Sequence, residues 1–162
     1  MRILASGMDM LPWDAADGPA PAPVPPGTIV RDLAARGVAA PPGYAEYAAA
    51  NGGKRFPSGR NFVRGKMGGE PIGLATVLHF DPRQPRRWAA DIWEQTEDEL
   101  GPKLIPIATT YHAGLVCLDY RRGESPGVVS FDFEAMAGRK ILVLADSFED
   151  FLFRIGPRDA PD

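Results

Sequence analysis

A chain of 162 residues that is 44% hydrophobic has enough apolar side chains for a real core, and too many for a disordered protein. A formal net charge of -3 argues against a nucleic-acid binder, which usually shows a basic face, and the single cysteine, Cys117, excludes an intrachain disulfide. No stretch approaches the roughly 20 apolar residues a membrane helix needs, and Met1 to Met10, cut by Asp9, is too short and polar for a signal peptide, so a soluble, cytoplasmic protein is expected.

Residues 1–27 read as an arm. Leu4, Met8, Leu11 and Trp13 are apolar enough to dock it on the body. The closely spaced prolines between Asp17 and Gly27 force extended, polyproline-like backbone. A linker or a strap over the surface is the plain reading; a segment for a partner's proline-recognition groove is the rarer one. Thr28 to Arg36 predicts a short helix, capped by Thr28, ended by Gly37, with Ile29, Val30 and Leu33 on its apolar face. Pro41-Pro42 breaks the chain. A second helix starts near Gly43, carries Tyr44, Tyr47 and Ala48 at helical spacing, and stops at Asn51-Gly52-Gly53. Lys54 to Gly69 is basic and glycine-containing, with a weak strand at Asn61 to Val63. A solvated surface is favoured there over a phosphate or RNA patch, given the acidic whole.

Ile72 to Phe80 is rich in β-branched and apolar residues and predicts a strand ended by Asp81-Pro82. Gln84 to Leu100 reads as a helix with Trp88, Ile92 and Trp93 on one face. Its end is acidic, which the helix dipole mildly disfavours. Leu104 to Ile107 and Leu115 to Tyr120 read as two strands joined by a polar turn at Thr109 to His112. Pro106 cannot donate a ladder bond, so the first should be an edge or be bulged there. Val128 to Phe133 alternates, as a half-buried antiparallel strand does. Ile141 to Leu144 predicts one more strand. Asp146 then starts a helix with Glu149 as its capping-box partner, and Phe148, Phe151, Leu152 and Ile155 fall at i, i+3, i+4 and i+7. Phe131, Phe151 and Leu152 should be buried, with Leu115 and Leu118 nearby.

This order predicts an α+β fold: a mixed, mainly antiparallel sheet flanked by N-terminal helices and a C-terminal helix. The domain is placed at residues 28–155, after the arm at 1–27 and before a flexible tail at 156–162. The common site signatures are missing. There is no phosphate-binding glycine loop and no nucleophile-elbow serine. His79 and His112 lie in no metal-ligand spacing, so no metal or cofactor is expected. A Cys117 nucleophile with a His112 base is the one enzymatic alternative, set against a cysteine that serves as a small hydrophobe in an apolar strand.

The motif order resembles the SUKH superfamily, the Smi-one/Knr-four cell-wall-regulator type of domain. Pro41 to Tyr47 leading to Asn51-Gly52-Gly53 is similar to its first helix and asparagine-glycine-glycine stop. Leu104 to Ala108 is similar to its isoleucine-proline-isoleucine strand, and Leu115 to Asp119 and Val128 to Asp132 to the strands that follow. Ala145 to Leu152 is similar to its closing helix. The turn Thr109 to Gly114 departs from the family's glycine-glycine-aspartate, and Lys54 to Glu70 is longer and more basic. The resemblance implies a non-enzymatic, bacterial protein-binding domain: an immunity protein neutralising a cognate toxin, such as a nuclease. A regulatory or scaffold module without a toxin is the alternative. No direct nucleic-acid or membrane partner is implied.

A toxin that cleaves nucleic acid is basic at its cleft, so its inhibitor should present carboxylates. The densest acidic group is Glu94, Glu97, Asp98 and Glu99, beside Trp88 and Trp93, with Tyr111 and His112 expected close by. Acids flanking aromatic anchors suit an interface, and these eight residues are the candidate partner surface. The plainer reading is that both tryptophans are core and the acids solvate a helix end.

Overall fold

The computed structural model describes residues 9–159. After a short 3-10 turn at Ala15–Asp17, the elements are α1 (Pro26–Ala35), α2 (Tyr44–Asn51), β1 (Phe62–Val63), β2 (Ile72–Val77), α3 (Ala89–Leu100), β3 (Leu104–Thr110), β4 (Gly114–Asp119), β5 (Gly127–Asp132), β6 (Ile141–Ala145) and α4 (Phe148–Arg154). The six strands form one sheet in sequence order, each antiparallel to the next. This is the expected α+β class, with α1 and α2 ahead of the sheet and α4 behind it.

The sheet separates two apolar clusters. α1, α2 and α4 pack Ile29, Leu33, Tyr44, Phe148 and Phe151 with Ile105, Val116 and Leu118 in the larger one. The smaller cluster holds Leu104, Leu115, Cys117, Val129 and Phe131, and α3 adds Leu100 and part of Ile92. β5 therefore has both faces buried along its middle, from Val128 to Phe131, where one wet face was expected. Its alternation sends Val128 to one cluster and Val129 and Phe131 to the other. Phe131, Phe151 and Leu152 are buried as expected, Phe131 with Leu115 in the smaller cluster and Phe151 and Leu152 with Leu118 in the larger.

Three helix starts differ from the sequence reading. α1 begins at Pro26, not Thr28. Pro25 is its N-cap and Pro26 occupies the first turn, where a missing N–H costs nothing. Val30 is 45% exposed, so Ile29 and Leu33 alone form the buried face. α3 begins at Ala89, five residues after Gln84. Gln84 accepts from Arg86 N through its own side chain, and Arg87 sits at φ 58, outside any helix. α4 is capped by Ser147, whose hydroxyl accepts from Asp150 N at 3.0 Å, so the cap lies one residue after Asp146.

β3 extends through Thr109 and Thr110, shortening the expected turn, and it is not an edge strand. β2 pairs only with its later part, at Ala108 and Thr110, and the β4 register shifts between Pro106 and Ala108. At Pro106 the Trp93 indole from α3 donates to the carbonyl, 2.8 Å away. The proline thus stands at a bulge, covered on one side by a helix. Both outer strands are partly covered. Gly156 exchanges two main-chain bonds with Phe62 of β1, and Lys66 N donates to Val143 O of β6. The chain just after α4 is consequently held, not frayed, and Arg158 pairs with Glu70 at 3.3 Å.

Candidate partner-binding surface

The local sequence of α3 fixes which side chains face water. Trp93, Thr96 and Leu100, with Ile92, follow helical spacing on one side and turn inward. The same period sends Asp91, Glu94 and Asp98 to the opposite side. Glu94, Glu97, Asp98 and Glu99 are all exposed, and the helix carries no lysine or arginine. Glu97 lies 3.7 Å from Arg36, with half of its side chain exposed. Among the described residues, Glu94, Asp98 and Glu99 enter no ion pair. The last turn places like charges where the helix dipole already points its negative end. An exposed, unneutralised acidic face suits a basic protein surface.

The aromatic residues expected beside these acids are placed differently. Trp93 is 3% exposed. Its ring stacks edge-on against Phe80 at 5.7 Å and lies under the Arg36 guanidinium, also at 5.7 Å. It anchors α3 to the body and offers no face to a partner. Trp88 is the N-cap of α3 and is half-buried. Tyr111 and His112 are exposed on the β3–β4 tip. β3 starts just after the acidic end of α3 and runs seven residues to reach that tip. At about 3.3 Å per residue this is about 20 Å, so the tip and the acids sit at opposite ends of the strand. The acids form one group, and Tyr111 and His112 belong to another place.

Cys117 is fully buried in the smaller cluster, paired in register with Pro106 and Val129. Burial, and then the Asp119 charge, push its thiol well above the ordinary range, so it stays protonated. His112 is out at the exposed tip. The geometry gives the Cys117–His112 pair no means to act as nucleophile and base. Among the described residues, no three His, Cys, Asp or Glu side chains are grouped to hold a metal ion, and no helix is long and apolar enough to cross a membrane.

A second polar assembly was not anticipated from the sequence. His79, Asp81 and Gln84 are 2%, 4% and 6% exposed. Asp81 N donates to His79 Nδ1 at 3.1 Å, and His79 Nε2 lies 2.7 Å from the Arg86 carbonyl. That pairing assigns the proton to Nε2 and keeps the ring neutral. Burial lowers the His79 pKa, against the opposing pull of the Arg86 carbonyl and the Asp81 charge. Asp81 accepts from Ala22 N at 2.7 Å and from Arg83 N and Nε at 3.0 and 3.1 Å. These bonds, led by the one from Ala22, hold its pKa down at about 2. The only local hints were Asp81-Pro82 and Gln84-Pro85, two turn formers in a row. The partner, Ala22, is 59 residues away.

A family model described as SMI1 / KNR4 family (SUKH-1) matches residues 29–154. No curated protein matches the chain.

Proposed function

The chain belongs to the SMI1 / KNR4 family (SUKH-1), and on that premise we propose that it is a non-enzymatic immunity protein of a bacterial toxin system. It binds its cognate toxin in the cytoplasm and blocks it. The observation that carries this reading is the exposed face of α3, where Glu94, Asp98 and Glu99 serve no ion pair within the described fold. Charges that stabilise nothing internally, held on a helix that Trp93 fixes to the body, form a preorganised acidic surface. A basic nucleic-acid-cleaving domain is the toxin class that this surface complements.

Binding needs no chemistry from the chain. Cys117 is sealed in the sheet, and no metal-ligand group is present among the described residues. The test is to look for a toxin gene beside the one for this chain and to co-express the two. Growth should be protected, and the His112→Ala/Cys117→Ala variant should protect as well as the wild type. Loss of protection by that variant, with an unchanged melt, would put catalysis back in place of binding.

A further inference from the structure

Residues 9–25 lie ahead of the matched segment, yet Arg55, Asp81, Gln84, Arg86 and Arg87, which hold them, all lie inside it. The hold is that of a peptide in a cleft. Leu11 exchanges both main-chain bonds with Arg55, at 2.8 and 2.9 Å, as an added strand does. The Pro12 carbonyl accepts from Arg55 Nε at 3.1 Å, and the Pro19 carbonyl accepts from Gln84 Nε2. Between Pro19 and Pro23 only Ala20 and Ala22 have an N–H, and Asp81 takes the second.

Side chains add selectivity. Asp17 is gripped by Arg86 at 3.0 Å and by Arg87. Trp13 lies edge-on to His79 at 5.8 Å and under the Arg87 guanidinium at 4.9 Å. Pro21 sits on Gly53, where a Cβ would come within 2.6 Å of its Cγ, so the cleft floor has to be glycine. Burial is one-sided. His79, Asp81 and Gln84 are sealed, whereas no residue from 9 to 25 is itself buried. The arm's apolar side chains, Met10, Trp13 and Val24 among them, are only part-buried, and its ion pairs are of the weak, part-exposed kind.

Arg87 is built as a clamp. Its backbone is held at φ 58, a region that a non-glycine residue occupies at a cost and that recurs at ligand clamps. Its Nε is buried without a partner, while its Nη2 pairs with Asp17. A guanidinium edge offers two parallel donors to a carboxylate, and here only one is engaged.

We propose that the cleft between Gly53–Arg55 and His79–Arg87 is a recognition site for an extended, proline-containing segment that carries a carboxylate. The arm is its tethered occupant, and a partner protein's segment of the same chemistry enters by displacing it. This site uses none of the acids of α3, so the two readings can fail separately.

The test is the fluorescence anisotropy of a labelled peptide copying residues 9–23, titrated into the full chain. The wild-type arm competes from within at an effective concentration of order millimolar, so binding should be weak. In the full-length Asp17→Lys variant the arm loses its grip on both arginines, and the peptide should bind about tenfold tighter or more. Adding Arg87→Ala should abolish that increase. A peptide carrying Asp17→Glu should bind the Asp17→Lys chain at least as tightly as the native peptide, because the longer side chain reaches Nε. Should Asp17→Lys fail to fold, Asp17→Asn carries the same comparison without a like-charge clash. A cooperatively melting variant that binds the peptide no better than the wild type, or binding indifferent to Arg87→Ala, overturns the proposal.

Discussion

Asp81 and the acids of α3 hold the same chemical group in opposite environments. Asp81 is 4% exposed and accepts three hydrogen bonds, and Asp17, which the arm brings to the same place, lies between two arginines. Glu94, Asp98 and Glu99 are exposed and enter no ion pair within the described fold. A carboxylate that serves the fold must be desolvated, so it has to be paired at every lone pair it buries. A carboxylate that serves a partner stays solvated until the partner arrives. The contrast identifies the acidic face of α3 as surface that the fold does not require, and Asp81 as a carboxylate that the docked arm does.

The core sets the scale against which both regions are measured. Phe151 is 1% exposed and touches Phe148, so Phe151→Ala should cost about 3–5 kcal/mol and lower the thermal midpoint sharply. A melt that barely moves would mean that α4 is not packed on the sheet. Asp81→Ala should cost less, about 1.5–3 kcal/mol, because it strands the N–H groups of Ala22 and Arg83. It should also expose the arm to limited proteolysis near Ala22. An unchanged cleavage pattern would make Asp81 an ordinary surface acid and erase the contrast.

pH separates the two regions without mutation. His79 has a pKa below its ordinary 6.5, so the unfolded chain takes up that proton first, and stability falls as the pH drops below about 6.5. Asp81 is depressed from 3.8 to about 2, so its contribution is complete above about 4 and is lost between about 4 and 2. Both effects loosen the arm in acid. The protection factor of the Ala22 amide, its exchange rate relative to the intrinsic rate at each pH, should fall through that range, and Asp81→Asn should flatten its lower part. The smallest expected effect on stability comes from reversing Glu97, Asp98 and Glu99. Replacing Asp98 and Glu99 at the C-terminal end of the helix with lysine should leave stability unchanged or raise it by about 0.3–1 kcal/mol per site at low salt, while Glu97→Lys gives up the part-exposed pair with Arg36, worth about 1 kcal/mol or less. A large loss would make these acids part of the fold.

What was legible in the chain was whatever repeats within a few residues. Phe148, Phe151 and Leu152 showed the buried side of α4, and the alternation from Val128 to Phe131 showed the strand. Local pattern also located the acids of α3. It failed where an interaction spans the chain. The Ala22–Asp81 bond and the Asp17–Arg87 pair close loops of about 60 to 70 residues, and no periodicity encodes them. Gln84-Pro85 looks like a helix start by residue type, yet Gln84 spends its side chain on the arm. Trp93 and Tyr111 are each close to the acids in sequence. One is turned inward by helical period, and the other is carried to the far end by the length of β3.

The acidic face of α3 is the proposed partner surface. The most direct measurement is the affinity of the Glu97→Lys/Asp98→Lys/Glu99→Lys chain for a toxin that the wild-type chain binds, by calorimetry at low and high salt. The fold should be unchanged, the affinity should fall about 100-fold or more at low salt, and the salt dependence should be much flatter. A folded variant that binds with wild-type affinity and wild-type salt dependence would contradict that placement.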